Sequence, residues 1–475
     1  MKISKLLMMF AAAVLAVGCG GDDPNDVGGG NQPTVPNVVS VTPANGAKDI
    51  AVGDVTIDVK YDQNITLTST DVAKVQIAGG TVKSLKSSAR TLTIKANCPD
   101  EGTTVAITIP AGLVKNTTAA YSFSFTTYKT PAVNITKTLV AGQTQQVKDL
   151  YDYFLGLYGK KVISSVMADV NWNTKIADKV KALTGKYPAM NCFDFIQIYV
   201  PNQGSNGWIN YNDITPVKNW ADKGGIVQLM WHFNVPTSEN TEVKMDGSGV
   251  TCDPTKTTFK ASNALKEGTW ENKWFYQEMD KVAAVLLKLQ DAGIAATWRP
   301  FHEGAGNATL KSGASWGKAW FWWGAEGSAN YKKLWIAMFD YFKQKGVKNL
   351  IWIWTSQNFN GDATKYNQDN DWYPGDQYVD MVARDLYGYS VEKNKQEFTE
   401  LQAAYPTKMI VLGECGKSEN GEQGNIGNCW TAGAKWGHFM VWYQGKQGST
   451  DTMCSDAWWK SAMSDSNVVT LPTNH

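Results

Sequence analysis

An excess of charge of either sign is what this chain most plainly lacks. Forty-five basic residues stand against 44 acidic ones, a formal net charge of +1, with no long run of either sign. A protein that grips nucleic acid through its phosphates gathers Lys and Arg into a patch or stripe. None is visible, so no nucleic-acid partner is expected. Long apolar runs are also missing: no segment reaches the roughly 20 consecutive apolar residues that a membrane-spanning helix needs. The seven cysteines are scattered without one Cys-x-x-Cys pair, which leaves a structural zinc or dithiol redox site nothing to rest on. Aromatic residues, by contrast, abound. Twenty Trp, 19 Tyr and 16 Phe exceed what a core of this size asks for, and a surface that stacks ligands is expected.

The N-terminus reads as an export signal. Lys2 and Lys5 precede the short apolar run Leu6–Val17, which ends at Gly18-Cys19. That ending resembles a bacterial lipobox with Ala16 in place of the usual Leu, and it implies cleavage before Cys19 and lipid on its thiol. The expected location is therefore the outer membrane, at the cell surface, with Cys19 as the membrane contact. Residues 1–18 are read as signal peptide and 19–36, rich in Pro, Gly and Asn, as a flexible tether. The remaining six cysteines allow 15 complete disulfide pairings, none of which the sequence selects. Cys415 is expected to be a small buried residue rather than a nucleophile, because no base partners it.

Two folded domains follow. From 37 to 128 short alternating segments such as Val55–Val59, Thr91–Lys95, Val105–Ile109 and Tyr121–Phe125 are separated by turn residues, as in a β-sandwich. The run Val41–Ala47 before them is similar to bacterial Ig-like spacer modules, and a spacer role is expected. From 132 to 475 short apolar runs alternate with amphipathic helices. Strands are predicted at Val162–Met167, Ala189–Phe195, Ile226–His232, Ala296–Glu303, Leu350–Thr355, Met381–Tyr387, Met409–Glu414 and Phe439–Tyr443. Between them the clearest helices are Trp274–Ala292 and Tyr331–Lys345, closed by Gly293 and Gly346. Eight such repeats predict an α/β fold, a (β/α)8 barrel preceded by the small all-β domain.

Active sites of such barrels lie at the C-terminal strand ends. There the predicted fourth and seventh strands end in Glu303 and Glu414, nearly opposite each other around the ring. A pair of carboxylates facing one cleft is the minimal equipment for breaking a glycosidic bond. Alternation along strand four is expected to put Arg299 beside Glu303 and His302 on the other flank. His232 at the end of strand three, and Asp385 and Tyr387 at the end of strand six, complete the catalytic face. Four ligands of the His232, His302, Glu303, Glu414 set would suit zinc, but adjacent His302 and Glu303 are expected to point apart on a strand. No metal and no cofactor are expected.

Three motifs carry a family resemblance. Arg299-Pro300-Phe301-His302-Glu303, Trp320-Phe321-Trp322-Trp323-Gly324 and Gly413-Glu414-Cys415-Gly416 resemble the family-26 glycoside hydrolases, retaining (β/α)8 enzymes best known as endo-β-1,4-mannanases. The resemblance implies Glu303 as acid/base and Glu414 as nucleophile, with Tyr387 orienting Glu414. It implies substrate contacts for His302 near a 2-hydroxyl, for His232 with Asp385 close by, and for Trp442 as the floor of the −1 sugar. Trp320, and more weakly Trp270, are implied as aromatic platforms. The loop between Glu303 and Trp320 is longer than the short link usual in the family. The substrate implied is β-1,4-mannan, galactomannan or glucomannan, cleaved by a monomer. Mixed-linkage β-glucan and β-1,3-xylan, which relatives also cleave, stand as alternatives, as does a non-catalytic glycan-binding lipoprotein. Endo and chain-end action are both left open.

Overall fold

A computed structural model describes residues 34–129, 132–137, 139, 142–169, 172–201, 203–204, 209–306, 319–357, 369–419, 421–443 and 454–471. Cys19 and the signal before it lie outside the described residues. The chain divides into two compact units, Met1–Thr130 and Pro131–His475. Among the described residues no helix is long and apolar enough to cross a membrane.

The first unit owes its shape to period-two alternation. In Gly53–Tyr61 the side chains of Val55, Ile57, Val59 and Tyr61 are buried while Asp54, Thr56 and Lys60 face water. Repeated in Thr91–Cys98, Thr104–Ile109 and Tyr121–Thr127, this pattern gives two four-stranded sheets around one core. The sandwich expected from sequence is present.

The second unit is a closed ring of eight parallel strands: β1 (Val162–Met167), β2 (Met190–Asp194), β3 (Ile226–Trp231), β4 (Ala296–Pro300), β5 (Leu350–Ser356), β6 (Met381–Tyr387), β7 (Met409–Gly416) and β8 (His438–Val441). Strand β8 pairs with β1 and β1 with β2, which closes the barrel. Both faces of a parallel strand are covered, so these segments are buried along nearly their whole length. The two predicted helices extend over Trp270–Asp291 and Ser328–Gln344. Helix Gln145–Leu157 lays Val147, Tyr151 and Phe154 against Ile163, Met190, Ile351, Met381 and Met409, closing the core at the N-terminal strand ends. Towards the other end Met167, Cys192, Met230 and Met440 form a thioether and thiol layer beneath Trp442 and Tyr443. The site sits on that layer.

One interior residue makes the barrel sensitive to acid. His438 opens β8, is fully buried, and neither ring nitrogen has a hydrogen-bond partner. Burial, reinforced by Arg299, pushes its pKa down to about 3 from 6.5. Below about pH 6.5 the unfolded chain takes up a proton there that the folded chain refuses. His438 therefore destabilises the fold as pH falls from 6.5 towards 3, with a slope of up to about 1.4 kcal/mol per pH unit. His438→Leu removes this dependence. Urea midpoints of the two proteins at pH 7, 5 and 4 should diverge in favour of the variant as the pH drops, and parallel curves would contradict the reading.

Candidate active site

Simple alternation along β7 would point Glu414 out of the barrel. Met409 and Val411 face the interior and Leu412 the helices. The ladder with β6 slips at this point: Arg384 pairs with Leu412, but Asp385 pairs with Glu414. One extra residue, Gly413, is absorbed, so Glu414 turns inward and Cys415 outward into the outer core. Only glycine fits this bulge. A Cβ on Gly413 would lie 2.6 Å from Asp385 Oδ1 and 2.9 Å from the Ala383 Cβ. Cys415 is buried and burial holds its thiol pKa well above the ordinary value, so it is no nucleophile.

Glu303 reaches the same space by another route. Strand β4 stops at Pro300, three residues earlier than expected, because the chain then takes left-handed turns at Phe301 (φ 43°) and Glu303 (φ 49°). Such angles are costly for side chains of this size and persist only where neighbours fix them. Here Tyr331 donates its hydroxyl to Phe301 O at 2.9 Å, and Trp323 Nε1 donates to His302 O at 2.9 Å. The alternation expected for residues 299–303 is therefore corrected: they leave the strand, and His302 turns its ring towards His232 instead of away on a separate flank.

The result is a convergence of three carboxylates. One oxygen each of Glu303, Asp385 and Glu414 lie within 4.8 Å of one another. Arg299, fully buried, holds two of them: Nη2 donates to Glu414 Oε1, and Nη1 donates to Asp385 Oδ2 at 3.0 Å and to Thr355 Oγ1 at 3.1 Å. Burial opposes the Arg299 charge, but Asp385 and Glu414 outweigh it and hold its pKa above the ordinary value. The Tyr387 hydroxyl donates to Glu414 Oε2 at 2.5 Å. Both oxygens of Glu414 are thus aimed by donors. Glu303 has a different environment. Burial first, then the charges of Asp385 and Glu414, hold its pKa well above the usual carboxylate range. Burial likewise pushes Asp385 up to about 7, against the pull of Arg299. Gln357 Nε2 donates to Glu303 Oε1 at 3.2 Å from the end of β5. One carboxylate is directed by donors while its neighbour favours the protonated form, the division of roles that acid-assisted displacement needs. Three carboxylates could also hold a hard cation, but a guanidinium already spans two of them.

Above this cluster lie rings. His232 and His302 meet edge-on with centroids 4.4 Å apart. Trp442 lies 5.8 Å from His232, its backbone N–H tied to Cys415 O at 3.0 Å. Phe321 lies 5.0 Å from His302 and 5.9 Å from His232. Of the expected platforms, Trp320 is 40 % exposed beside Gly306, whereas Trp270 begins a helix and packs edge-on against Phe259 in the outer core. Most of the long loop before Trp320, residues 307–318, lies outside the described residues.

Sequence reasoning missed Asp194, Thr355, Phe321 and Gln357. Asp194, Thr355 and Gln357 sit at or just past strand ends, and Phe321 lies inside the Trp320–Gly324 motif, signals that could have found them. The expectation that the aromatic surplus forms a ligand surface is also corrected. Among the described residues, 14 of 18 tryptophans are buried. Many cap loop carbonyls with the indole N–H, as Trp322 does for Phe233 O at 2.6 Å and Trp335 for Tyr378 O at 3.1 Å.

Comparison with known proteins agrees with this architecture. Residues 32–127 match the bacterial Ig-like domain, and residues 140–463 match glycosyl hydrolase family 26. The family-26 domain of an endo-β-mannanase/endo-β-glucanase from Prevotella bryantii is 58 % identical, with a TM-score of 0.67, over 70 % of this chain and 97 % of that one. A β-mannanase from a symbiotic protist of the termite Reticulitermes speratus, complexed with a gluco-manno-oligosaccharide, is 31 % identical with a TM-score of 0.55, covering 72 % of this chain and 98 % of that one. A mannan endo-1,4-β-mannosidase from Thermothelomyces thermophilus is 30 % identical over 66 % of this chain and 56 % of its own length. The chain spans about half the length of the curated relatives it matches. The family match covers the whole barrel, from the helix beneath it to the last helix around it, and with it the chain belongs to glycosyl hydrolase family 26.

Proposed function

We propose that this protein hydrolyses internal β-1,4-mannosidic bonds of mannan, galactomannan or glucomannan with retention of anomeric configuration. The observation that carries the mechanism is the approach of Glu303 and Glu414 to within 4.8 Å at their nearest oxygens. Retaining enzymes hold their two carboxyl groups about 5–5.5 Å apart, whereas inverting enzymes leave about 6.5–9.5 Å for a water molecule. In the first step Glu414 attacks the anomeric carbon and protonated Glu303 gives its proton to the departing oxygen. In the second step Glu303, now ionised, takes a proton from the water that releases the sugar from Glu414. Arg299 and Tyr387 hold Glu414 in line through both steps.

The mannan reading draws support from relatives whose names state that activity. The presence of both glutamates argues against a purely glycan-binding protein. We place the Ig-like unit as a spacer and Cys19 as a lipid anchor, readings that rest on residues 1–47 of the sequence alone.

Protein lacking residues 1–33 should be incubated with galactomannan, lichenan and β-1,3-xylan, with products followed over time. Mixed short manno-oligosaccharides appearing early are expected. Cleavage of glucan or xylan with mannan untouched would overturn the substrate and leave the mechanism standing. No cleavage of any of the three would overturn the proposal.

A further inference from the structure

The carboxylate at the end of β2, Asp194, takes no part in the chemistry above, yet it is fully buried. Charged side chains tolerate that only when paired. Its side chain is spent on one residue. Asp194 Oδ1 accepts the His232 backbone N–H at 3.0 Å, and Oδ2 lies 2.5 Å from His232 Nδ1. A carboxylate offers lone pairs only, so the Nδ1 facing it carries a proton. In the neutral ring the other nitrogen, Nε2, is then an acceptor.

His302, edge-on to His232 at 4.4 Å, is constrained the other way. Its Nδ1 is sealed in the interior without a partner. Burial, then His232 and Arg299, hold its pKa well below the ordinary value, so the ring is neutral. A proton on the sealed nitrogen would be a buried donor with nothing to meet, whereas on Nε2 it remains available.

We propose that Asp194 is a positioning residue that fixes the tautomer of His232, making its Nε2 a hydrogen-bond acceptor beside His302 as donor, so that the two imidazoles together grip one hydroxyl of the sugar next to Glu303 and Glu414. A hydroxyl is the group that donates once and accepts at the same oxygen. The pair therefore selects a pyranose carrying a hydroxyl at that position and rejects the deoxy analogue, whose absence leaves both nitrogens unmet. This inference rests on the glycosidase reading.

Two-bond proton–nitrogen correlation spectra of histidine-labelled protein read the tautomers directly, independently of activity. The expected result is Nδ1–H at His232 and Nε2–H at His302. Asp194→Asn keeps the volume but offers one acceptor to two donors. It should shift the His232 tautomer and lower kcat/KM on mannotetraose by about 10- to 100-fold, with a thermal midpoint near the parent's. Added to His232→Ala, the same substitution should cause no further loss, because Asp194 acts only through that ring. Nε2–H at His232 in the parent protein would overturn the proposal whether or not the variant folds. So would an Asp194→Asn activity within about twofold of the parent, or an equal loss in the His232→Ala background. A parent that shows Nδ1–H at His232 but cleaves neither manno-oligosaccharide, lichenan nor β-1,3-xylan would overturn the glycosidase reading while supporting the tautomer assignment.

Discussion

Replacing Glu414 by alanine is expected to lower kcat on manno-oligosaccharides by a factor on the order of 10⁴ to 10⁶, the loss expected when a covalent nucleophile is removed. The reasoning is geometric. Glu414 is the one member of the carboxylate cluster with donors on both oxygens, Arg299 on one and Tyr387 on the other. Those donors fix its approach to an anomeric carbon lying between it and Glu303. Alanine also leaves half of a buried guanidinium unpaired. Breaking one side of such a pair costs about 3–5 kcal/mol, so the thermal midpoint should fall as well. Glu414→Gln keeps an acceptor for Arg299 and separates the two effects: stability largely returns and activity does not. Azide added to the alanine variant enters the vacated space and attacks from the nucleophile's face, giving an α-mannosyl azide visible by proton NMR. A Glu414→Ala protein hydrolysing within about tenfold of the parent rate would remove Glu414 from the chemistry.

Glu303→Ala is expected to produce the second-largest effect, one that depends on the leaving group. With a polysaccharide the departing alkoxide needs a proton, and losing general acid catalysis lowers the rate by about 10²- to 10⁴-fold. A dinitrophenyl leaving group needs none. With that substrate the first step survives, the second step lacks its base, and a burst of phenolate followed by a slow steady state is expected. Azide accelerates the slow phase and yields the β-configured azide, the opposite anomer from that of the Glu414 variant. The parent protein's pH profile belongs to the same argument. Burial and the charges of Asp385 and Glu414 hold Glu303 protonated well above the usual carboxylate range. Activity that needs the proton on Glu303 is therefore present below that raised pKa and lost as pH rises through it. The alkaline limb of kcat/KM should move in Glu303→Ala assayed with the activated substrate.

Much of the fold was legible in the sequence because its signals are periodic and repeated. Strands at Val162, Ile226, Leu350, Met381 and Met409 begin where the apolar runs begin. Gly293 and Gly346 follow the two long helices with φ of 74° and 87°, as helix ends require. The two glutamates were legible for a cruder reason, that strand ends line barrel mouths. How each side chain enters the cleft was not. The slip that turns Glu414 inward is a one-residue event in the pairing of β6 with β7, and Gly413 is its only trace in sequence. The left-handed turns at Phe301 and Glu303 are imposed by Tyr331 and Trp323, distant in the chain, against local preference. Asp194 escaped notice because its meaning lies in a partner 38 residues away. Tryptophan misled for the opposite reason: its count is visible at once, but which face an indole covers is decided by tertiary packing.

Trapping the covalent intermediate tests the central claim most directly. The protein is treated with a 2-deoxy-2-fluoro mannosyl fluoride, extended by one further mannose, which forms the glycosyl-enzyme and releases it slowly. Proteolysis and tandem mass spectrometry then locate the added mass. The account predicts one label, on Glu414, in the peptide carrying Leu412-Gly413-Glu414-Cys415. A label on Glu303 or Asp385, or no label together with products of inverted configuration, would contradict it.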